Sequence, residues 1–426
     1  MRKRIKKFAF VICLLLLTGC GKKDVIVIEE ADQVALNAVV MLGIGNPVAE
    51  VFESICNDFR SNNPEINLVA ESKVSDENWK YSVAADFCVG NEPDVIQFFT
   101  DATANQLIKM DKFVTLEEIR QEYPEYADNI YEWALDQVAN HDGVRRAVPT
   151  TGFWEGLFCN KDIFEEYNVP LPTDIVSFEN AILKFREVGI IPVACSISNV
   201  PHYWTEHLLL TTLGPQKYTG PFIRVTPEWE AGLERLAEYR EMGAFPENTD
   251  TIDNSYASEL FINKKAAMIL EGNWFLSNIR DTENTIVLPF PGLWKATGES
   301  KIIVGGMTSG FYISRRAWNN PLKRDAAVKF VMANTSVEAI EKYWASGGGI
   351  TTTATPVTVT RKYNPLEHSA MDYISNADGM VLSTDSRIEP EAYRELISGM
   401  LEVSNGGSAN SLLERVLKTN NMNKKR

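Results

Sequence analysis

Several signatures of catalysis and metal binding are absent from this 426-residue sequence. It contains no Gly-x-Ser-x-Gly, no His-Glu-x-x-His and no Cys-x-x-Cys, and its four histidines lack the spacing of metal ligands. These absences argue against a serine hydrolase of the α/β type, a zinc peptidase, a zinc ribbon and thioredoxin chemistry. They leave a glycosidase open, because its two carboxylates need only meet in space.

Positive charge is also scarce, since the formal net charge is −15. No basic patch with interleaved aromatic residues occurs, and a negative surface repels nucleic acid, so we expect no nucleic-acid partner. No apolar run is long enough to span a bilayer, which takes about 20 residues.

The N-terminus has the order of a bacterial export signal. Residues 2–7 carry five lysines and arginines, residues 8–17 are apolar, and Leu17-Thr18-Gly19-Cys20 resembles a lipobox. We therefore expect a signal peptide over 1–19, lipidation of Cys20, and a tether over 20–34 on the outer face of the cell membrane. A secreted chain with a chance cysteine at the cleavage site is the alternative.

Four further cysteines occur in the body of the chain: Cys56, Cys88, Cys159 and Cys195. An exported location permits disulfides, and four cysteines allow three pairings. However, Cys56 shares a helical stripe with Phe52 and Phe59, and Cys88 follows Phe87 at core spacing. This pattern favours reduced, buried thiols.

The first hundred residues alternate between strand and helix patterns. Strands are predicted over 35–42, 66–70 and 94–99, with helices from Pro47 and over 78–88. Such a β-α-β-α-β order predicts a mostly parallel sheet. The turn 43–46 lacks the third glycine of a dinucleotide fingerprint, but it lies at the carboxyl end of a strand, where α/β sheets bind ligands.

Further elements are predicted along the rest of the chain. Helices are expected over 178–188 with Ser177 as N-cap, from Pro227, over 255–261 and from Pro321; strands are expected over 190–194, 266–270, 285–288 and 310–314.

Several motifs, in order, resemble family 1 of the extracellular solute-binding proteins. They are Glu92-Pro93-Asp94-Val95, Val148-Pro149 followed by Asn160-Lys161-Asp162, Lys265-Ala266-Ala267-Met268 leading to Gly272-Asn273-Trp274, and Gly305-Gly306 followed by Ala326-Ala327-Val328-Lys329-Phe330. The chain departs from the usual pattern at Cys159, where a tyrosine is common, and at Ser177-Phe178.

The resemblance implies an α/β, two-lobed fold of the periplasmic-binding-protein type, with a ligand cleft between the lobes. Lobe 1 is expected over 35–146 plus 285–345, and lobe 2 over 147–284 plus 346–426. The implied function is capture of a sugar and its delivery to the permease subunits of an ABC transporter. We expect a monomer that is not an enzyme and needs no cofactor or metal.

Candidate ligand contacts are aromatic and planar polar residues at predicted strand ends, because a sugar offers flat C–H faces and a rim of hydroxyls. They are Asn46, Asp101, Trp154, Glu155, Tyr203, Trp204, Glu206, Asn273, Trp274 and Gly306. The blander alternatives are core packing for the tryptophans, helix capping for Asp101 and a plain turn for Gly306. A surface glycoside hydrolase, a lipoprotein that binds a partner protein, and a binder of another solute are the other functions considered.

Overall fold

A computed structural model describes residues 33–43, 48–75, 77–293, 301–353 and 362–423. The predicted signal peptide, Cys20 and Asn46 lie outside these residues. The strands are β1 Val34–Val40, β2 Ile66–Ser72, β3 Val95–Phe99, β4 Thr151–Asn160, β5 Ile191–Ala194, β6 Ala266–Gly272, β7 Thr285–Leu288, β8 Ile302–Gly306, β9 Ser309–Ile313, β10 Ile350–Thr351 and β11 Gly379–Val381.

The α-helices are α1 Ala49–Asn62, α2 Glu77–Val89, α3 Ala102–Lys109, α4 Leu116–Glu122, α5 Glu132–Gln137, α6 Lys161–Glu166, α7 Ile175–Glu187, α8 His202–Thr219, α9 Pro227–Glu241, α10 Asn254–Ile262, α11 Arg315–Trp318, α12 Pro321–Asn334, α13 Val337–Gly347, α14 Pro365–Ser375, α15 Pro390–Ser404 and α16 Ala409–Asn423. Within the described ranges, none of these helices combines the length and apolar character that a bilayer crossing requires.

The first sheet has the strand order β2-β1-β3-β9. Strand β1 runs parallel to β2 and β3, whereas β9 pairs antiparallel with β3. The predicted parallel β-α-β-α-β unit is therefore confirmed. Its carboxyl edge carries Asp101, directly after β3, and is followed by α3.

The second sheet has the order β11-β8-β4-β6-β5, and β7 and β10 also pair with β4. The long strand β4 runs antiparallel to β6, β7, β8 and β10. Because β5 and β6 are parallel to each other, their carboxyl ends share one edge with the N-terminal half of β4. This edge carries the sequence Gly272-Asn273-Trp274.

Strand β4 separates two hydrophobic cores. Trp154 and Phe158 belong to the first core, and Leu157 and Cys159 belong to the second, as expected when successive side chains point to opposite faces. Full burial of a large apolar side chain stabilises the fold by roughly 1.5–3 kcal/mol. The strand is buried on both sides, which explains why its sequence lacks an alternating polar pattern.

Sheet pairing can be compared with the expected return to lobe 1 at residue 285, which itself stays a prediction. Strands β7 and β8 both pair with β4 of the second sheet, and the chain rejoins the first sheet only at β9. The sequence identified strands at both β7 and β9 but gave no information about their partners. The other expected lobe boundaries stay predictions.

The start of α7 also differs from the sequence prediction. Asp174, not Ser177, is the N-cap, and Ser177 occupies the third helical position of a capping box. The Asp174 carboxylate accepts a hydrogen bond from the Ser177 N–H at 2.7 Å, and the Ser177 hydroxyl accepts one from the Asp174 N–H at 3.0 Å. The predicted starts at Pro227 and Pro321 are confirmed.

The four body cysteines are all free. Cys56, Cys159 and Cys195 are buried as predicted, and burial raises the pKa of Cys56 to about 12, which leaves its thiol unreactive at neutral pH. The prediction that Cys88 is buried is wrong, because this residue lies exposed at the end of α2.

Candidate ligand-binding site

The position of the Trp274 ring is fixed by Glu271 and Gly272, the last two residues of β6. Strand β6 ends at Gly272, and a 3-10 helix over Asn273–Asn278 follows at once. The ring lies across Gly272 so closely that a Cβ at that position would overlap it. Its Nε1–H donates a hydrogen bond of 2.7 Å to Oε2 of Glu271. The indole is thus held flat over the carboxyl end of β6.

Two further aromatic rings join Trp274. Phe153 at the start of β4 stacks on it with 6.3 Å between ring centres and 29° between planes, and Tyr203 of α8 lies at 6.0 Å and 36°. We call Phe153, Tyr203 and Trp274 the aromatic group. It combines flat apolar faces with nearby hydrogen-bonding groups, which is the combination that a sugar ring requires.

Glu271 is the carboxylate closest to this group. It is 1% exposed, and its oxygens accept hydrogen bonds from Asn254 Nδ2 at 2.7 Å, the Gly272 N–H at 3.2 Å and the Trp274 indole. Burial raises the pKa of Glu271, although these three donors favour its charged form. Its main effect is to orient Trp274.

Glu155 and Glu206 lie behind the aromatic group. They are 2% and 1% exposed. Burial raises the pKa of both carboxyls well above the usual range, and the negative charges of neighbouring acids raise it further: Glu271 and Asp385 act on Glu155, and Glu155 and Asp385 act on Glu206. Both groups therefore favour the neutral form when nothing compensates their charge.

Two histidines of α8 lie in the same region. Burial lowers the pKa of His202 and of His207 to about 4, so both are neutral at physiological pH. His202 packs its ring edge-on against Tyr203, with 4.2 Å between centres.

Asp101 and Lys80 form the first-sheet side of the site. One oxygen of Asp101 caps α3 by accepting from the Thr103 and Ala104 N–H groups, and the other lies 3.0 Å from Lys80 Nζ. The Lys80 ammonium also lies 4.2 Å from the centre of the Phe99 ring and 4.0 Å from Oδ2 of Asp385. Since Asp385 follows β11 of the second sheet, Lys80 connects the two sides of the cleft.

Three of the predicted ligand contacts, Trp154, Trp204 and Asn273, pack or hydrogen-bond within the fold. Trp154 is fully buried, and its Nε1–H donates to the Gly348 carbonyl at 2.8 Å; Trp204 is 2% exposed and packs in the second core against Phe245 and Phe290. The Asn273 amide accepts from the Trp154 N–H at 3.2 Å and donates to the Gly347 carbonyl at 2.7 Å. These placements favour packing roles.

Gly306 lies directly opposite Phe153 across the β4–β8 pair. Its φ of 141° is a value that other residues rarely adopt, and a Cβ there would lie 2.7 Å from Leu382 Cδ2. The next residue, Met307, donates its N–H to Gln137 Oε1 at 2.8 Å. Gly306 therefore permits close packing beside the aromatic group.

The structure thus brings Trp274, Tyr203, Glu155 and Glu206 together and adds residues that the sequence did not single out. Glu271 had a usable signal, because it is the one charged residue at the end of the apolar run 266–270. Lys80 and Asp385 had none, since each comes from an ordinary polar segment and meets the site only through tertiary packing.

A cavity of about 750 Å³ lies elsewhere, between α1, α13, α14 and the segment 276–282. Neither the aromatic group nor the buried carboxyls line it, so we locate the candidate site by its side-chain chemistry. Among the residues that the structure describes, no group of His, Cys, Asp and Glu is arranged to hold a metal ion.

Known structures resemble this fold closely. A chitin oligosaccharide binding protein superposes with a TM-score of 0.79 at 19% identity, covering 92% of this chain and 99% of its own. A probable secreted solute-binding lipoprotein from Streptomyces coelicolor gives 0.71 at 18%, covering 92% and 99%, and RafE in complex with raffinose gives 0.72 at 18%, covering 91% and 98%. At these identities the likeness establishes the two-sheet α/β fold.

No curated protein matches the chain in sequence. The family model described as bacterial extracellular solute-binding protein, in contrast, matches residues 45–390, which is most of the chain. The chain therefore belongs to the bacterial extracellular solute-binding protein family.

Proposed function

We propose that this protein captures a carbohydrate outside the cell membrane and delivers it to the permease of an ABC importer. Family membership supports solute capture. The chitin-oligosaccharide and raffinose ligands of the similarly folded proteins support a sugar as the solute.

The observation that carries the proposal is the aromatic group at the edge of the second sheet. Trp274 is held by the Glu271 carboxylate and flanked by Tyr203, and Lys80 and Asp101 form an ion pair on the first-sheet side of the cleft. An aromatic face binds the C–H side of a sugar ring, and carboxylates and an ammonium group bind its hydroxyls.

Attachment to the membrane through a lipid on Cys20 is part of the proposal. Its support is the order of basic, apolar and lipobox residues before Cys20, together with the fold shared with a probable lipoprotein. An anchored receptor stays close to the permease that it serves.

A thermal-shift screen of the chain from residue 21 onwards tests sugar capture. Mono- and oligosaccharides are added at millimolar concentration, and binding is confirmed by titration calorimetry. A sugar present at about 100 times its dissociation constant adds roughly 2.7 kcal/mol to the free energy of unfolding. Stabilisation by amino acids or peptides, with no response to any sugar, would contradict the proposal.

The same samples separate a binder from a glycoside hydrolase. We expect oligosaccharides incubated with the protein to bind without gaining reducing ends. The appearance of new reducing ends, and their loss on replacing Glu155 or Glu271 by glutamine, would identify a hydrolase.

A further inference from the structure

A set of buried carboxyl and imidazole atoms without hydrogen-bond partners of good geometry lies beside the aromatic group. We call Glu155, Glu206 and His207 the acceptor pocket. Neither oxygen of Glu206 has a hydrogen-bond partner of good geometry, although the Thr384 backbone N–H is near enough to favour its charged form. Oε2 of Glu155 has no such partner either and lies 3.6 Å from Nδ1 of His207. Since buried polar atoms are nearly always paired, these atoms call for an explanation.

The fourth such atom is Nε2 of His207, a residue that is fully buried. Its Nδ1 lies 2.8 Å from the Tyr203 carbonyl oxygen. A carbonyl can only accept, so Nδ1 carries the proton and Nε2 presents a lone pair. This observation is independent of the carboxyls, and it adds a neutral acceptor to a third side chain of the pocket.

The surroundings of the pocket are acidic. The charged and titratable groups that interact with it are Glu271, Asp385 and Arg387, with Tyr203, Tyr218 and Tyr373. His202 and Lys80 interact with Asp385. Arg387 favours the charged form of Glu206, but its guanidinium donates to the Gly220 carbonyl and lies over the Tyr218 ring. Arg387 and Lys80, the neighbouring cations, therefore already interact with other groups.

The pocket is adjacent to the surface where a ligand would bind. Glu206 follows Tyr203 by three positions on α8, which places both on one helix face. Glu155 follows Phe153 by two positions on β4, which places both on one face of the sheet. A sugar stacked on the aromatic group would therefore lie on the same face of α8 and of β4 as the carboxyls of the pocket.

We propose that the acceptor pocket recognises a primary ammonium group, and that the captured carbohydrate is an amino sugar. This inference rests on the proposed function. An ammonium group supplies three donors and no acceptor, so it matches the lone pairs of His207 Nε2 and of the carboxyls once these are ionised, whereas a hydroxyl brings further lone pairs. The cleft already accommodates one ammonium, because Lys80 Nζ lies beside Asp101 and Asp385 and over the Phe99 ring.

Protons are released when such a ligand binds. In the empty pocket, burial and the neighbouring acids keep the Glu155 and Glu206 carboxyls protonated. An ammonium favours their anions, so a carboxyl proton passes to the buffer. Amine affinity should therefore increase as the pH rises from 5 to 7, while the affinity of a neutral sugar stays nearly constant.

Titration calorimetry with matched sugars tests the inference. Glucosamine, galactosamine, 6-amino-6-deoxyglucose and β-1,4-linked glucosamine oligomers are compared with their hydroxyl and N-acetyl counterparts at pH 7. We expect at least one amine to bind about tenfold or more tightly than both counterparts, since hydrogen bonds to charged groups contribute roughly that factor. When the titrations are repeated in phosphate and in Tris buffer, the difference between the measured heats should indicate proton release for the amine and not for the neutral sugars.

Glu206→Gln keeps the shape of the side chain and removes its charge. We expect it to abolish the preference for the amine over its hydroxyl counterpart, whatever its effect on the affinity for both. Glu179→Gln removes a charge on α7 of the same lobe, where Glu179 pairs with Arg235, and should keep the preference. If Glu206→Gln fails to fold, Glu155→Gln serves in its place.

Equal affinity for amine and hydroxyl sugars would overturn the inference and leave the proposed function standing. A folded Glu206→Gln protein that still prefers amines would overturn it in the same way. The absence of binding by every sugar would remove both the inference and the proposed function.

Discussion

Replacement of Trp274 by alanine removes the central ring of the aromatic group. The change deletes the hydrogen bond to Glu271 and the stacking on Phe153 and Tyr203. Trp274 is only partly buried and contacts both cores from their margin. The loss should therefore affect a ligand more than the fold.

The expected magnitudes follow from these contacts. Truncation of a central aromatic residue at a binding site commonly costs about 2 kcal/mol, which corresponds to a roughly thirtyfold weaker sugar complex. The variant also loses two aromatic pairs, and each should lower the free energy of unfolding by about 0.5–1.5 kcal/mol. Trp274→Phe keeps a flat face but not the indole N–H, so it should weaken the complex by less.

Calorimetric titration and a melting curve on the same variant separate the two roles of Trp274. Trp133→Ala is a matched control, because Trp133 is 41% exposed on α5 and stacks on Tyr131 away from the aromatic group. It should bind sugar as the unaltered protein does. A destabilised Trp274→Ala protein with unchanged sugar affinity would refute the reasoning and leave Trp274 as a packing residue.

Four further predictions concern other parts of the chain. The pKa of Glu206 is raised in the folded state, so its contribution to stability is lost as the pH rises above its unfolded pKa of about 4.3. Glu206→Gln should therefore raise the melting temperature at pH 7 but not at pH 4. An equal shift at both pH values would contradict this prediction. Asn273→Ala leaves the buried Gly347 carbonyl and Trp154 N–H unpaired and should lower the free energy of unfolding by about 2 kcal/mol in urea melts; a value near zero would show that water replaces the amide. Asp174→Ala should lower the melting temperature through loss of the α7 cap, with no change in sugar affinity. Cys20→Ala should abolish incorporation of radiolabelled palmitate and leave an unprocessed precursor or released protein; continued labelling would disprove the anchor.

Local sequence patterns predicted most elements of the fold but not their partners. The β-α-β-α-β unit was readable because its apolar residues recur at strand and helix periods. Helix α8 was missed, since residues 203–210 are buried on all sides and Gly214-Pro215 interrupts the pattern with a non-helical glycine. Strand β7 was identified, but its pairing with β4 depends on contacts across 125 residues or more, which periodicity does not encode.

The candidate site was only partly readable for the same reason. Trp274 was identifiable because Gly272-Asn273-Trp274 follows an apolar strand directly. The sequence could not show that the β4 alternation turns Phe153 toward the cleft and Trp154 into the core. Lys80 and Asp385 meet at 4.0 Å from opposite sheets, so their role depends on tertiary structure.

A crystal structure of the protein with a bound sugar tests the central claim most directly. We expect a sugar ring stacked on Trp274 between the two sheets, with hydroxyls or an amine hydrogen-bonded among Glu155, Glu206 and Asp385. A sugar seated in the cavity between α1, α13 and α14, with the aromatic group closed and unoccupied, would contradict it.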